Sequence, residues 1–194
     1  MRDIYVVGDA NVDIIVPYPR FLNEERTLVD YPNPELVGGV TSANPAVALA
    51  KLGLPVSFLG TIGDDQYGKY IQKDFKEQGV NTADLIVDPK LNTVGVFAFI
   101  DENGERYLWG WPRVDQAFKV LERDKVPFEK IEAADWVHSS GMSLVYDTSA
   151  RTEIIEIFKK AYEAGVTCVA TGPGSANPIG GQFLAMKTKG RTME

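Results

Sequence analysis

Two stretches of the chain carry residue types that could hold a hydroxyl-rich small molecule. The run Gly8-Asp9-Ala10-Asn11-Val12-Asp13 follows the apolar segment Ile4 to Val7 and sets an amide and a carboxylate two positions apart. In an extended chain such residues point the same way. Asn11 and Asp13 would then offer both donors and acceptors on one surface, which suits ligand hydroxyls. A local Asx-rich turn would use the same residues, and both readings stand on the sequence. The second stretch runs from Gly38-Gly39 through Thr41, Ser42 and Asn44 to Gly63-Asp64-Asp65-Gln66-Tyr67-Gly68. Paired glycines let backbone pass close to a ligand because no Cβ intervenes. The Thr/Ser/Asn cluster behind them can cap a helix and donate hydrogen bonds.

Other polar residues favour architecture over chemistry. Asp64 and Asp65 sit where a tight turn meets a helix start, which predicts a helix cap rather than a catalytic acid. His138 is the only histidine and has no acidic or cysteine partner at ligand or triad spacing, so it reads as a core histidine. The single cysteine, Cys168, excludes an intrachain disulfide and a cysteine-rich zinc site. Trp109, Trp111 and Arg113 cluster at the end of a hairpin pattern, as a ligand or partner surface if exposed and as core if packed. Gly172-Pro173-Gly174-Ser175 after a strand superficially suggests a phosphate loop. Pro173 removes a backbone donor, however, and the third glycine of a dinucleotide fingerprint is lacking.

The elements that must position these residues alternate. Short β-rich runs at 4–7, 56–59, 85–87 and 166–170, and a strand leading into a Gly-bearing loop over 135–141, are interleaved with helical patterns, of which 67–78 and 148–164 are the clearest. The order predicts an α/β fold with a doubly wound, mostly parallel sheet and ligands at the carboxyl ends of its strands. Two stretches break the alternation. Pro17 to Glu35 is proline-rich and irregular, and Thr93 to Trp109 flanks Asp101-Glu102-Asn103-Gly104 as an antiparallel hairpin. From Thr171 onward turn residues dominate and little core-forming content remains.

Bulk properties narrow the function class. A chain of 194 residues with 44% hydrophobic and 24% charged residues can bury a sizeable core. The net charge of −7 argues against a nucleic-acid-coating surface. No apolar run approaches the roughly 20 residues needed to span a membrane, and the start lacks the pattern of a signal peptide. The expectation is a cytoplasmic protein that meets neither nucleic acid nor membrane.

Taken together in order, these pieces resemble the ribokinase-like (PfkB-type) carbohydrate kinases. The resemblance rests on Gly8 to Asp13, Gly38-Gly39 with Asn44, the spacing to Gly53 and Gly63, and Gly63 to Gly68. Gln78 to Thr82, Thr93 to Val96 and His138 to Gly141 extend it, so that it covers residues 1 to about 170. It implies a ribokinase-like domain over 1–170 whose small β-sheet lid comes from insertions at about 12–36 and 93–112, followed by an atypical tail at 171–194. It further implies ATP and Mg2+ as cofactors of the intact family, transfer of the ATP γ-phosphoryl to a sugar hydroxyl, and a homodimer through the β lid. Asn11 and Asp13 would bind sugar hydroxyls, Gly38, Gly39 and Asn44 would floor the pocket, and Arg113 would lie near the substrate.

Two departures accompany the resemblance. Gly39 to Asn44 holds one residue more than the family signature. The family's Gly-Ala-Gly-Asp motif, with its general base and oxyanion-binding helix start, is absent from the sequence, as is its nucleotide-binding segment. The expectation is a sugar-binding half that lacks a catalytic base and supports no ATP or Mg2+ site alone, with residues from about 168 onward read in another frame or otherwise replaced and the tail at 171–194 disordered or out of frame. The competing expectation is a non-catalytic sugar-binding or dimerising remnant, or an inactive fragment.

Overall fold

The computed structural model describes residues 3–17, 34–39, 41–111, 114–171 and 183–186. Chain order begins with β1 (Ile4–Val7), β2 (Asn11–Pro17) and β3 (Glu35–Gly39), then α1 (Ala43–Lys51), β4 (Val56–Gly63), α2 (Gln66–Glu77) and β5 (Leu85–Asp88). The hairpin β6 (Gly95–Ile100) and β7 (Arg106–Trp111) follows. The chain continues through α3 (Phe128–Glu132), β8 (Trp136–Ser140), α4 (Met142–Val145), α5 (Ser149–Glu163), β9 (Thr167–Thr171) and β10 (Phe183–Met186).

The main sheet has the order β10-β9-β8-β1-β4-β5. Its five strands β9, β8, β1, β4 and β5 are parallel, and β10 pairs antiparallel with β9 from Phe183↔Thr171 to Met186↔Cys168. The α/β expectation therefore holds. Parallel strands covered on both sides read as continuous apolar runs, and β1 is buried along its whole length. One face packs Tyr5, Val7, Leu59 and Val137 against Ile154, Ile157 and Ala161 of α5. The other packs Ile4, Val6, Val56 and Phe58 against Ala46 of α1 and Ile71 and Phe75 of α2. Each fully buried aliphatic side chain of this kind is worth about 1.5–3 kcal/mol.

The strands on either side of the Pro17 to Glu35 stretch, together with the β6–β7 hairpin, build a second sheet, ordered β3-β2-β6-β7. Strand β2 lies parallel to β6 and antiparallel to β3, and β6–β7 is the predicted hairpin. Its turn is closed by Asp101, whose carboxylate accepts from the N–H groups of Asn103 and Glu105 at 2.9 Å. One face of this sheet, with Val12, Ile14 and Phe97, joins the core around α2. The irregular segment expected at Pro17 to Glu35 lies largely outside the described residues. So does the tail, apart from β10, including the glycine-rich run from Gly172.

Candidate functional site

The order in which successive strands are added to the main sheet reverses at β1, with β4 on one side and β8 on the other. The carboxyl ends of β1 and β8 therefore flank a topological switch point, where open α/β sheets bind ligands. At the end of β1 the chain turns through Gly8, at φ +149°, and leaves for the second sheet. A Cβ on Gly8 would collide with the hydroxyls of Ser42 and Ser143, so the close approach of these segments requires glycine.

Beyond that turn, Asn11 opens β2 opposite Gly39, and Asp13 lies opposite Val37. The two polar residues share a face because the strand continues, as their spacing predicts. Asn11 is only 7% exposed, and its Oδ1 has no hydrogen-bond partner. Asp13 is half-buried, and burial raises its carboxyl above the ordinary value while the Arg106 guanidinium offsets part of the effect. A Cβ on Gly39 would sit 2.6 Å from Asp13 Oδ2, so this glycine makes room for the carboxylate. Asn11, Asp13 and Gly39 thus form one polar wall at the switch point.

The remaining expected site residues are placed differently. Adjacent strand residues face opposite ways, so Gly38 turns from the wall toward α2, where a Cβ would strike the carboxylate of Asp74. Asn44 is exposed in the first turn of α1. Between Gly39 and Asn44, Thr41 and Ser42 form a turn before the helix begins. Arg113 lies outside the described residues. Leu36, Val37, Tyr107, Leu108 and Trp109 leave apolar area exposed on β3 and β7.

Sequence reasoning passed over Asp9. This residue is 5% exposed, and its Oδ1 accepts from the hydroxyls of Ser42 at 2.6 Å, Ser143 at 3.0 Å and Ser140 at 3.1 Å. Thr41 Oγ1 lies 3.2 Å from Asp9 Oδ2 and 3.0 Å from Ser140 Oγ. Because Ser42 spends its hydroxyl on Asp9, α1 has no side-chain cap hydrogen bond. The nearest available signal was the serine cluster Ser139, Ser140 and Ser143, whose partner lies far back in the chain.

The acids read as architecture behave as expected. Asp65 caps α2 by accepting from the N–H of Gly68 at 2.8 Å, and its second oxygen accepts from the N–H of Thr93 at 2.7 Å. Thr93 Oγ1 in turn accepts from the N–H of Gly63 at 2.8 Å. Asp64 forms an exposed pair with Lys69 at 3.2 Å. His138 and Cys168 are both buried in the sheet, and burial pushes the Cys168 thiol up to about 11.

The comparison with known families decides the lineage. Residues 1–185 match the pfkB family carbohydrate kinase description. The chain belongs to the pfkB family of carbohydrate kinases. It is 34% identical over 167 residues to a fructokinase of Vibrio alginolyticus, covering 85% of this chain and 48% of that protein. It is 39% identical over 149 residues to 5-dehydro-2-deoxygluconokinase of Bacillus subtilis strain 168, covering 76% of this chain and 44% of that protein. Among solved structures, fructokinase with bound ATP from Xylella fastidiosa superposes with a TM-score of 0.76 at 22% identity, over 90% of this chain and 52% of that one. That likeness speaks for the shared fold. The chain spans about half the length of the curated relatives it matches.

Among the described residues, no group of three or more His, Cys, Asp or Glu side chains is placed to hold a metal ion. The glycine-rich run from Gly172 lies outside them, so no residue of this chain is assigned to a nucleotide or to Mg2+. No described helix is long and apolar enough to cross a membrane.

Proposed function

We propose that this chain is the sugar-binding half of a pfkB-type sugar kinase, competent to hold a sugar and incompetent alone to phosphorylate it. The observation that carries the reading is the unpartnered, buried Oδ1 of Asn11 beside the Asp13 carboxylate, both against Gly39. A buried acceptor without a partner costs free energy unless something satisfies it. A sugar hydroxyl donates to such an acceptor, and a neighbouring hydroxyl donates to Asp13. These residues bind and orient the sugar. With ATP bound in an intact enzyme, the γ-phosphoryl supplies the transferable group. Transfer also needs a charge-stabilising site and a base, which this reading assigns to the family's second half.

In this reading the sheet β3-β2-β6-β7 is the lid over the sugar, built from the insertions at about 12–36 and 93–112. Two copies associate through its exposed apolar residues, Tyr107, Leu108 and Trp109 among them. The protein works in the cytoplasm, where its sugar and ATP are found.

Thermal unfolding of the full chain with and without D-fructose, D-ribose and 5-dehydro-2-deoxygluconate tests the proposal, since a ligand that binds only the native state raises the transition. At least one sugar should raise it, Asn11→Ala should reduce the rise, and ATP with any of the sugars should yield no ADP. If no sugar shifts the transition, the binding role fails. If ADP forms at a rate that depends on sugar, the division of labour fails. Sedimentation of Trp109→Ala against the parent chain tests the dimer, which should dissociate in the variant.

A further inference from the structure

The carboxylate of Asp9 joins three segments distant in sequence. Its own segment is the exit of β1. Thr41 and Ser42 are the entry turn of α1, two residues past Gly39 of the pocket wall, and Ser140 and Ser143 bracket the turn between β8 and α4. These are the two sides of the switch point together with the floor between them. The side chains of Asp9, Ser42, Ser140 and Ser143 are all at most 5% exposed, so the cluster works away from bulk water. Three hydroxyls converge on one oxygen, Oδ1, which an ionised carboxylate accepts far better than an amide or a hydroxyl can. The hydroxyls also contact one another, Ser140 Oγ lying 3.2 Å from Ser143 Oγ and Ser42 Oγ 3.5 Å from Ser143 Oγ. Gly8 makes the arrangement possible, because any side chain there would displace Ser42 and Ser143.

We propose that Asp9 is a positioning residue of the sugar site: its carboxylate clamps the α1 entry turn to the β8 exit turn and so fixes Gly39 opposite Asn11 and beside the Asp13 carboxylate. The proposal rests on the sugar-binding reading for its functional consequence, and its structural consequence can be tested without it. Without the clamp, the turn at Thr41–Ser42 loses its anchor to the sheet, and the floor of the pocket loosens relative to the wall. Asp9 does not touch the sugar. It acts through the backbone that does.

The experiment compares the parent full-length chain with Asp9→Ala, Asp9→Asn and a control, Ile157→Val, which trims a buried side chain of α5 outside the hydroxyl cluster. Hydrogen exchange is followed in the segments 41–46 and 141–145. Asp9→Ala should speed exchange in both together, Asp9→Asn should do so less because one acceptor oxygen remains, and Ile157→Val should spare both. Exchange that rises in one segment only, or uniformly over the chain, overturns the clamp. Should Asp9→Ala fail to fold, Ser143→Ala removes one donor and should show the same paired signature at smaller amplitude. The second readout is the dissociation constant for D-fructose and D-ribose at a temperature where every variant is folded. Asp9→Ala should weaken the sugar the parent binds by about tenfold, Asp9→Asn less, and Ile157→Val not at all. Unchanged affinity in Asp9→Ala overturns the positioning role. If the parent binds no sugar, the proposed function fails while the exchange result still decides the clamp.

Discussion

Asp65 and Asp13 are both carboxylates at the border between the main sheet and the small one, and they are used in opposite ways. Asp65 has both oxygens committed, one to the N–H of Gly68 and one to the N–H of Thr93. Its charge is offset by two backbone dipoles, one at the start of α2, a standard way to stabilise a carboxylate. The Asp13 carboxylate accepts no hydrogen bond among the described residues, and burial has raised its carboxyl above the ordinary value. A saturated acceptor holds the protein together. An acceptor with free lone pairs in a partly buried wall is poised for something else. The contrast separates architecture from binding more sharply than residue type does, since both are aspartates beside glycines.

The largest test of that contrast is Asp65→Ala. It removes the α2 cap, a loss of about 1–2 kcal/mol, and leaves the Thr93 N–H without its partner, a further loss of about 1–2 kcal/mol. Urea unfolding should show a destabilisation of about 3 kcal/mol, the sum of those two costs. A loss below about 0.5 kcal/mol, the ordinary range for a surface substitution, would erase the contrast. Asp13→Asn should reverse the balance. Stability at neutral pH should hold or rise, because a partly desolvated charge is removed, while sugar affinity measured by calorimetry should fall about tenfold or more, the worth of a charge-assisted hydrogen bond. Loss of stability with affinity intact would place Asp13 beside Asp65 as architecture.

Asn11→Ala should be gentler than Asp13→Asn in affinity and cheaper than a usual buried-polar deletion in stability. The Oδ1 of Asn11 has no partner to lose, so denaturation should record a cost of about 1 kcal/mol or less. Sugar affinity should drop several-fold in the same preparation. A stability loss of about 3 kcal/mol, typical of breaking a buried network, would show that Asn11 is already satisfied in the free protein.

Much of this arrangement was legible because it is local or periodic. The apolar runs announced the parallel strands, Asp101 to Gly104 announced the hairpin, and the two-residue spacing of Asn11 and Asp13 announced their shared face. The cap at Asp65 follows from its place before an amphipathic helix. Gly38 and Gly39 were grouped as one floor, although strand alternation sends them to opposite faces. Asp9 stayed hidden because all four of its hydroxyl partners lie more than thirty positions away, and only the topology of the sheet brings β1 and β8 side by side. Strand β10 was equally illegible. Its four residues follow a glycine-rich run that carries no strand pattern, and its antiparallel pairing along β9 is a tertiary choice.

The smallest predicted effect sets Asp13 against His138 through pH. Burial lowers the His138 pKa from 6.5, so the folded state resists protonating it. The unfolded chain then binds more protons as pH falls through 6.5, and stability contributed by neutral His138 is lost on the acid side of that value. Asp13 runs the other way. Its folded pKa lies above the ordinary 3.8, so the folded state holds the proton longer, and the associated stability is present below 3.8 and lost as pH rises through the raised value. Unfolding profiles of His138→Gln and Asp13→Asn should therefore diverge from the parent in opposite senses. The His138→Gln profile should be flatter below about pH 6.5, the ordinary histidine value. The advantage of Asp13→Asn over the parent should grow from acid toward neutral pH. Parallel profiles for Asp13→Asn and parent would mean that Asp13 ionises freely, as a solvated surface carboxylate does, and the wall at the switch point would lose its half-buried acid.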